Sequence, residues 1–258
     1  MGLACASFSC DGFNDKNFDP TFRLLPKIGY EYVELNCWHP SNLTPSAITN
    51  IRRRCTDAKI EPVAVTGSSF GGTGFDISKD VAHKLRLIDA AVELDCRRVV
   101  ASGPHRDRDS GIGEVIEVLR QVTPYAERWG VLLCLENHVD NSLETIEDYE
   151  RVFSKIDSPN VGLCLDTGHF EAAGIDPVDV VNRFHGRILH VHVKETSVRG
   201  SKDFVRFGEG TTDNERIFDT LVDQDYRGYI TVELPIADKS NCMADLKKPL
   251  KMFKKYIE

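Results

Sequence analysis

Four short apolar runs in the second half of the chain each carry, at or near the carboxyl end, a side chain that could bind a metal. Val131-Leu132-Leu133-Cys134-Leu135 ends in Glu136, and Val161-Gly162-Leu163-Cys164-Leu165 ends in Asp166. Ile188-Leu189-His190-Val191-His192-Val193 carries two histidines of the same parity, and Tyr229-Ile230-Thr231-Val232 ends in Glu233. Glu136, Asp166, His192 and Glu233 supply three carboxylates and one imidazole, a mixture that suits one divalent ion such as Mn²⁺, Mg²⁺, Co²⁺ or Zn²⁺. A lone acid at a strand end is more often a cap or an ion-pair partner. Four such groups on successive runs are hard to explain that way, because burying three acids together without a cation is costly.

These residues lie far apart in the chain, so the fold must bring them together. Short β-branched runs alternate with helical patterns from one end of the sequence to the other. The expected strands are Leu3–Phe8, Tyr32–Asn36, Pro62–Thr66, Arg98–Ser102, Val131–Glu136, Val161–Asp166, Ile188–Val193 and Tyr229–Glu233. Between them, Val115, Leu119, Val122 and Ala126 recur at helical spacing, as do Leu246, Leu250, Phe253 and Ile257. Asp176-Pro177 reads as an N-cap and first helical position. Pro124 and Pro249 fall inside helical patterns, where a kink or a later start is expected.

Eight β-then-α units fit a closed (β/α)8 TIM barrel of the α/β class, taken as a single domain over residues 1–258. An open doubly wound sheet is the alternative. However, the first strand leads into Ser7-Phe8-Ser9-Cys10-Asp11-Gly12 and not into a dinucleotide-binding glycine fingerprint. Gly71-Gly72-Thr73-Gly74 lacks the Lys-Ser or Lys-Thr of a phosphate loop. In a parallel barrel all strand carboxyl ends share one face, where active sites lie. That geometry brings the four groups together without close spacing in sequence.

Composition narrows the partners. Lys plus Arg is 32 against 40 Asp plus Glu, a net charge of −8, which argues against non-specific nucleic-acid binding. No apolar run is long enough to cross a membrane, and the start of the chain lacks the pattern of a signal peptide. Eight cysteines without a CxxC pair read as reduced thiols, which points to a cytoplasmic location.

Several of these runs resemble the motifs of one family. Leu135-Glu136-Asn137-His138, Leu165-Asp166-Thr167-Gly168-His169, His190-Val191-His192-Val193-Lys194-Glu195, Phe207-Gly208-Glu209-Gly210 and Val232-Glu233-Leu234 are similar to the xylose isomerase-like TIM-barrel superfamily of sugar phosphate isomerases and epimerases. That superfamily also holds inosose isomerases, dehydratases and endonuclease IV. The resemblance implies Glu136, Asp166, His192 and Glu233 as ligands of one metal ion, Mn²⁺ first among the candidates. It implies His169 as a hydrogen-bond donor to a substrate oxygen, and Glu136 and Glu233 as the groups that move the proton. The implied reaction is isomerisation or epimerisation of a keto-sugar or keto-inositol through a metal-stabilised cis-enediolate.

Other residues on the expected active-site face are weighed against structural roles. Lys194 and Arg199 follow His192 and could reach substrate hydroxyls, Lys194 with the stronger positional case. His138 and Asn137 follow Glu136 as outer support, and His138 is also placed to touch substrate. Trp38 could wall an apolar sugar face. Glu34 reads as a substrate contact or a structural ion pair, and His190 as a hydrogen-bonded core residue. His105, Arg106 and Arg108 read as a solvated charge run, and Gly67–Gly74 as a mobile lid or a plain loop.

Departures from the family pattern separate the readings. Ketose 3-epimerases carry a substrate-binding acid six residues after the first metal glutamate and an arginine six after the metal histidine. Here those places hold Ser142 and Val198. Endonuclease IV needs extra metal ligands before its Gly-Glu-Gly, and Lys202-Asp203-Phe204-Val205-Arg206-Phe207 contains no histidine. The alternative enzyme is a lyase that expels a β-leaving group from the same enediolate. A non-catalytic sugar-binding barrel is the remaining reading. In each case the partner is a small keto-sugar or cyclitol, with no nucleic acid and no membrane. Homo-oligomers are common among such barrels, but the composition marks no interface.

Overall fold

The computed structural model describes residues 1–13, 16–71, 76–107 and 111–257. Arg108, and the 72–74 part of the segment read as a lid, lie outside the described residues. Ten strands are present: β1 (Gly2–Ala6), β2 (Tyr32–Asn36), β3 (Glu61–Thr66), β4 (Arg98–Ser102), β5 (Leu132–Glu136), β6 (Val161–Asp166), β7 (Ile188–Val193), β8 (Glu195–Thr196), β9 (Phe204–Val205) and β10 (Tyr229–Val232). Eight of them pair in parallel and close into a barrel in the order β1-β10-β7-β6-β5-β4-β3-β2. Helices on the connections make this a TIM barrel of the α/β class. The short β8 and β9 form a separate antiparallel pair beyond β7.

The expected strands match in number and order. The first ends early, because Asn36 accepts hydrogen bonds from the Ser7 hydroxyl (2.9 Å) and the Phe8 amide (3.0 Å) and turns the chain. Phe8 therefore opens a short helix, Phe8–Asp11, and does not end a strand.

Strand parity decides what faces where. Val33 and Leu35, Leu133 and Leu135, Leu163 and Leu165, Val191 and Val193, and Ile230 and Val232 all join the main apolar core between barrel and helices. The intervening residues point into the barrel. Ala64, Val100, Cys134 and Cys164 form a small buried cluster of their own there. At the amino end of the strands, the Arg98 guanidinium lies 5.1 Å from the Tyr229 ring, and Tyr32 and Tyr229 pack with ring centroids 5.1 Å apart. The same alternation sends Glu34, Thr66, His190, His192 and Thr231 inward, all of them buried.

The first helix pattern behaves as its spacing predicts, whereas the helix Cys242–Met252 carries Leu246 and Leu250 and ends before Phe253 and Ile257. Val115, Leu119, Val122 and Ala126 are all fully buried on the helix Gly111–Trp129. Asp176 caps Pro177–Phe184 by accepting from the Val178 amide. Pro124 and Pro249 sit within Gly111–Trp129 and Cys242–Met252, so neither helix waits until after its proline to start. All eight cysteines are buried, and none is in a disulfide. Among the described residues no helix is long and apolar enough to cross a membrane.

One buried cation lies away from the candidate site residues. Lys84, on the helix Ile77–Glu93, donates to the carbonyls of Ser68 (2.6 Å) and Ser69 (2.9 Å) just past β3. Burial lowers its pKa from the ordinary 10.5 to about 7, with Asp80 opposing. Between those values the unfolded chain holds a proton that the native state lacks, so stability rises with pH across that window. Below it both states are protonated, and the burial penalty is at its full size. Urea unfolding at pH 7 and pH 9 should show wild type gaining on Lys84→Met by up to about 1.4 kcal/mol per pH unit. A difference between the two proteins that does not change with pH would refute this.

Candidate metal centre

Barrel closure and inward parity bring the four sequence-predicted groups to one place. Ligand-capable atoms of Glu136, Asp166, His192 and Glu233 all lie within 4.8 Å of one another. They come from the ends of β5 and β6, from β7, and from the residue after β10. Glu233 holds its position because its amide donates to the Val193 carbonyl at 2.9 Å. Asp166 is also the N-cap of the helix Thr167–Ala172 and accepts from the His169 amide at 2.8 Å. Asn137 locks the β5 and β6 ends together: its side chain accepts from the Asp166 amide (2.7 Å) and donates to the Asp166 carbonyl (3.0 Å).

The acids converge on one nitrogen. His192 Nδ1 lies 2.8 Å from Glu136, 3.2 Å from Glu233 and 3.9 Å from Asp166. Its other nitrogen, Nε2, lies 2.9 Å and 3.1 Å from the two oxygens of Glu34. Lys194 reaches across the same cluster, with Nζ 2.8 Å from Asp166 and 2.5 Å from Glu233. Glu136, Asp166 and Glu233 therefore share one ammonium and one imidazole nitrogen, while Glu34 takes the other nitrogen of that imidazole. A single N–H at Nδ1 cannot serve three carboxylates, so this donor set fits a cation there.

The protonation of each group follows from this crowding. Burial pushes the Asp166 carboxyl up to about 7, with Glu233 and Glu136 adding and Lys194 opposing. Burial opposes the charged form of Glu136 as well, but His192 and Lys194 hold it below the usual carboxylate range. Burial works against charge on His192 and Lys194, and the surrounding acids overcome it and raise both. His169 is kept neutral by burial, with Lys194 adding to the effect.

The weaker expectations resolve into distinct positions. His169 stacks on His138 with ring centroids 3.8 Å apart, and its Nδ1 accepts from the Val139 amide at 3.4 Å, which leaves the proton on Nε2. His138 donates from Nδ1 to the Val139 carbonyl at 2.8 Å. Trp38 stacks on Phe13 (5.4 Å, 18°), which stacks on Phe8 (5.0 Å, 22°), and Phe13 is 58% exposed. Arg199, expected at substrate, is placed elsewhere: Glu171 takes its guanidinium at 2.9 Å and 3.0 Å, and Asp176 lies at 3.4 Å. Arg106 pairs with Glu144 at 2.7 Å and with Asp148. His190 is a buried hydrogen-bonded residue, held 2.7 Å from Glu34. Glu34 is fully buried inside the barrel, so it is an internal ion-pair partner and not a substrate contact.

Two glycines quoted within the family motifs have a steric role that the sequence did not assign. A Cβ on Gly168 would sit 2.1 Å from the Lys194 stem, so only glycine lets that lysine cross to Asp166. A Cβ on Gly210 would meet the Thr196 carbonyl at 2.2 Å. The turn there is held by Glu195, which accepts from the Gly208 (2.8 Å) and Gly210 (2.9 Å) amides.

A closed parallel barrel with carboxylates and an imidazole at its carboxyl end defines a metal-site class of TIM barrel. The model for the xylose isomerase-like TIM barrel family matches residues 22–256, and the chain belongs to that family. An inosose dehydratase of Geobacillus kaustophilus is 29% identical over 168 residues, covering 58% of this chain and 53% of that protein. A rhizopine catabolism protein MocC of Rhizobium meliloti is 31% identical over 172 residues, covering 55% and 53%. The chain spans about half the length of these curated relatives. A crystal structure of IOLI protein with a bound zinc atom superposes over 100% of both chains, with a TM-score of 0.82 and 21% identity.

Lys194 tests the charge balance directly. Lys194→Met leaves Asp166 and Glu233 without their buried cation, which should cost chelator-treated protein about 3 kcal/mol in urea unfolding. A loss below about 1 kcal/mol, the size of a surface pair, would show that Lys194 does not neutralise the cluster.

Proposed function

We propose that this protein is a divalent-metal-dependent lyase that removes water from a keto-cyclitol or closely related keto-sugar, beginning with proton abstraction beside a carbonyl. The observation that carries this reading is the convergence of Glu136, Asp166, Glu233 and His192 Nδ1 within 4.8 Å. Those four groups would hold the ion. When bound, the ion supplies Lewis-acid polarisation of the substrate's carbonyl and adjacent hydroxyl oxygens. Mn²⁺ is the first candidate, and the zinc of the IOLI structure makes Zn²⁺ the natural comparison.

The side chains divide the remaining work. Glu136 is the general base: its side chain is 12% exposed against 5% or less for the other three ligand candidates, and it is held ionised by His192 and Lys194. The substrate C–H proton passes to Glu136, and the C–H pair becomes the new C=C bond. The β C–O bond breaks, and the departing hydroxyl collects a proton and leaves as water. That proton is the one Glu136 received, and Glu233, three strands from Glu136 around the barrel, stays a ligand of the ion. Lys194 fixes Asp166 and Glu233, and neutral His169 offers its Nε2–H to a substrate oxygen. Phe8, Phe13 and Trp38 form an apolar wall past β1 and β2 for the face of a ring.

Elimination is preferred over the isomerase or epimerase expected first. Two curated relatives, at 29% and 28% identity, are named inosose dehydratase. Ser142, which stands in place of the 3-epimerase acid, is buried. Its side chain fills the space where Cβ atoms on Gly103 and Gly111 would sit, 2.5 Å and 2.9 Å away, and it brings no carboxylate to a substrate. Arg199, beside the position of the 3-epimerase arginine, is committed to Glu171. The buried thiols, none in a disulfide, fit a cytoplasmic setting.

Two measurements test this. Mn²⁺-loaded protein incubated in D₂O with a panel of inososes, ketoses and keto-glycosides should give a product lighter by one water, and Glu136→Gln should slow it at least about 100-fold. Deuterium uptake with no loss of water would return the assignment to an isomerase or epimerase, and no reaction on any compound would favour the binding barrel. Separately, Mn²⁺ at about 100 times its Kd should stabilise chelator-treated protein by about 2.7 kcal/mol, an effect that Asp166→Asn erases. Equal melting with and without Mn²⁺ would remove the metal centre from the proposal.

A further inference from the structure

Beneath the candidate metal centre lies a second buried polar cluster that no metal chemistry has so far used. Glu34 points inward from β2 and is fully buried. One of its oxygens accepts from the Thr66 hydroxyl and faces His192 Nε2 at 2.9 Å. The other accepts from the Thr231 hydroxyl at 2.8 Å and faces His190 Nε2 at 2.7 Å and His192 Nε2 at 3.1 Å. Side chains from β2, β3, β7 and β10 thus meet on one carboxylate. Two hydroxyls and two imidazole nitrogens, all able to donate, thus converge on its two oxygens and place the carboxylate as their common acceptor.

We propose that Glu34 is a positioning residue for the metal: by accepting from His192 Nε2–H it fixes the tautomer and ring orientation that leave the Nδ1 lone pair facing Glu136, Asp166 and Glu233. The inference rests on the metal centre proposed above. An ionised carboxylate has no proton to give, so every nitrogen and hydroxyl around Glu34 must point a hydrogen at it. A neutral imidazole has one N–H, and fixing it on Nε2 leaves Nδ1 as the ligand atom. Thr66, Thr231 and His190 hold the carboxylate itself, so the ring of His192 is oriented by a fixed acceptor. Glu34, His190 and His192 also lie close enough together to hold a metal ion. But Glu34 already serves two hydroxyls and two imidazoles at hydrogen-bond lengths, and all three residues are shut off from solvent.

Glu34→Gln gives the test. An amide keeps one acceptor oxygen and turns the other side into a donor. The threonine hydroxyls can rotate to accept, but an imidazole N–H cannot. Zn²⁺ titration against a chromophoric chelator should show binding about 10–100-fold weaker in Glu34→Gln than in wild type, with one Zn²⁺ per chain in wild type. Long-range ¹H–¹⁵N spectra of Zn²⁺-loaded wild type should show the His192 proton on Nε2, and Glu34→Gln should show a population with it on Nδ1. Unchanged affinity with an unchanged tautomer would reduce Glu34 to barrel packing. A second Zn²⁺ lost in Glu34→Gln would make the lower cluster a metal site and overturn the positioning role. A wild-type proton on Nδ1 would overturn it even if Glu34→Gln does not fold. Asp166→Asn separates the two levels. If wild type and Asp166→Asn both fail to bind Zn²⁺, the metal centre falls and this inference falls with it. Zn²⁺ binding that depends on Asp166 but not on Glu34 refutes the inference alone.

Discussion

The structure depends on keeping four carboxylates, Glu34, Glu136, Asp166 and Glu233, inside a barrel whose interior is otherwise small and apolar. Isolated buried charge is prohibitive, so each acid must be matched or must keep its proton. Lys194 and His192 lie against the upper three and His190 joins His192 at Glu34, and Asp166 shows the shortfall: it is the acid that burial and its neighbours drive toward neutrality. The excess of negative charge is concentrated at His192 Nδ1, where the strand ends meet. This is an arrangement that makes sense around a cation and is hard to justify without one.

The barrel supplies the precision through parity and through small residues. Ala64, Val100, Cys134 and Cys164 leave room in the interior for Glu34 and the histidines above them. A register irregularity between Leu163 and Cys164 sets Asp166 directly opposite His192. Past the strands, backbone-directed bonds hold the loops: Asn137 ties Asp166, and Glu195 ties the Gly208–Gly210 turn. Gly168 lets the Lys194 stem pass close to the first turn after β6. The site is thus built on strands and on side-chain-to-backbone clamps, both of which restrict the motion of the reacting groups.

Much of this was legible in the residues. β-branched runs gave eight barrel strands in order, and the same-parity histidines of β7 marked an inward face. What was not legible was long-range. Phe8 continues an apolar run, and only the side chain of Asn36, met through the fold, ends β1 before it. Glu34 shares the inward parity of its strand, yet its partners lie 156 and 158 residues away, so its role could not be read from neighbours. Arg199 sits at a suggestive distance from His192 in sequence, but Glu171 and Asp176 take its charge. Gly168 stands in a motif, but its steric requirement comes from Lys194, which follows β7 far along the chain.

The same proton abstraction can lead to epimerisation, isomerisation or elimination, so the outcome is decided by groups other than the metal ligands. Position 142 holds a buried serine with no carboxylate to offer a substrate. The nearby arginine is bound bidentately by a buried glutamate. A substrate that relies on such a charged clamp finds no partner at either place, and Phe8, Phe13 and Trp38 present an apolar face instead. The outcome thus turns on residues that never touch the metal, and the proposed elimination rests on what those residues withhold.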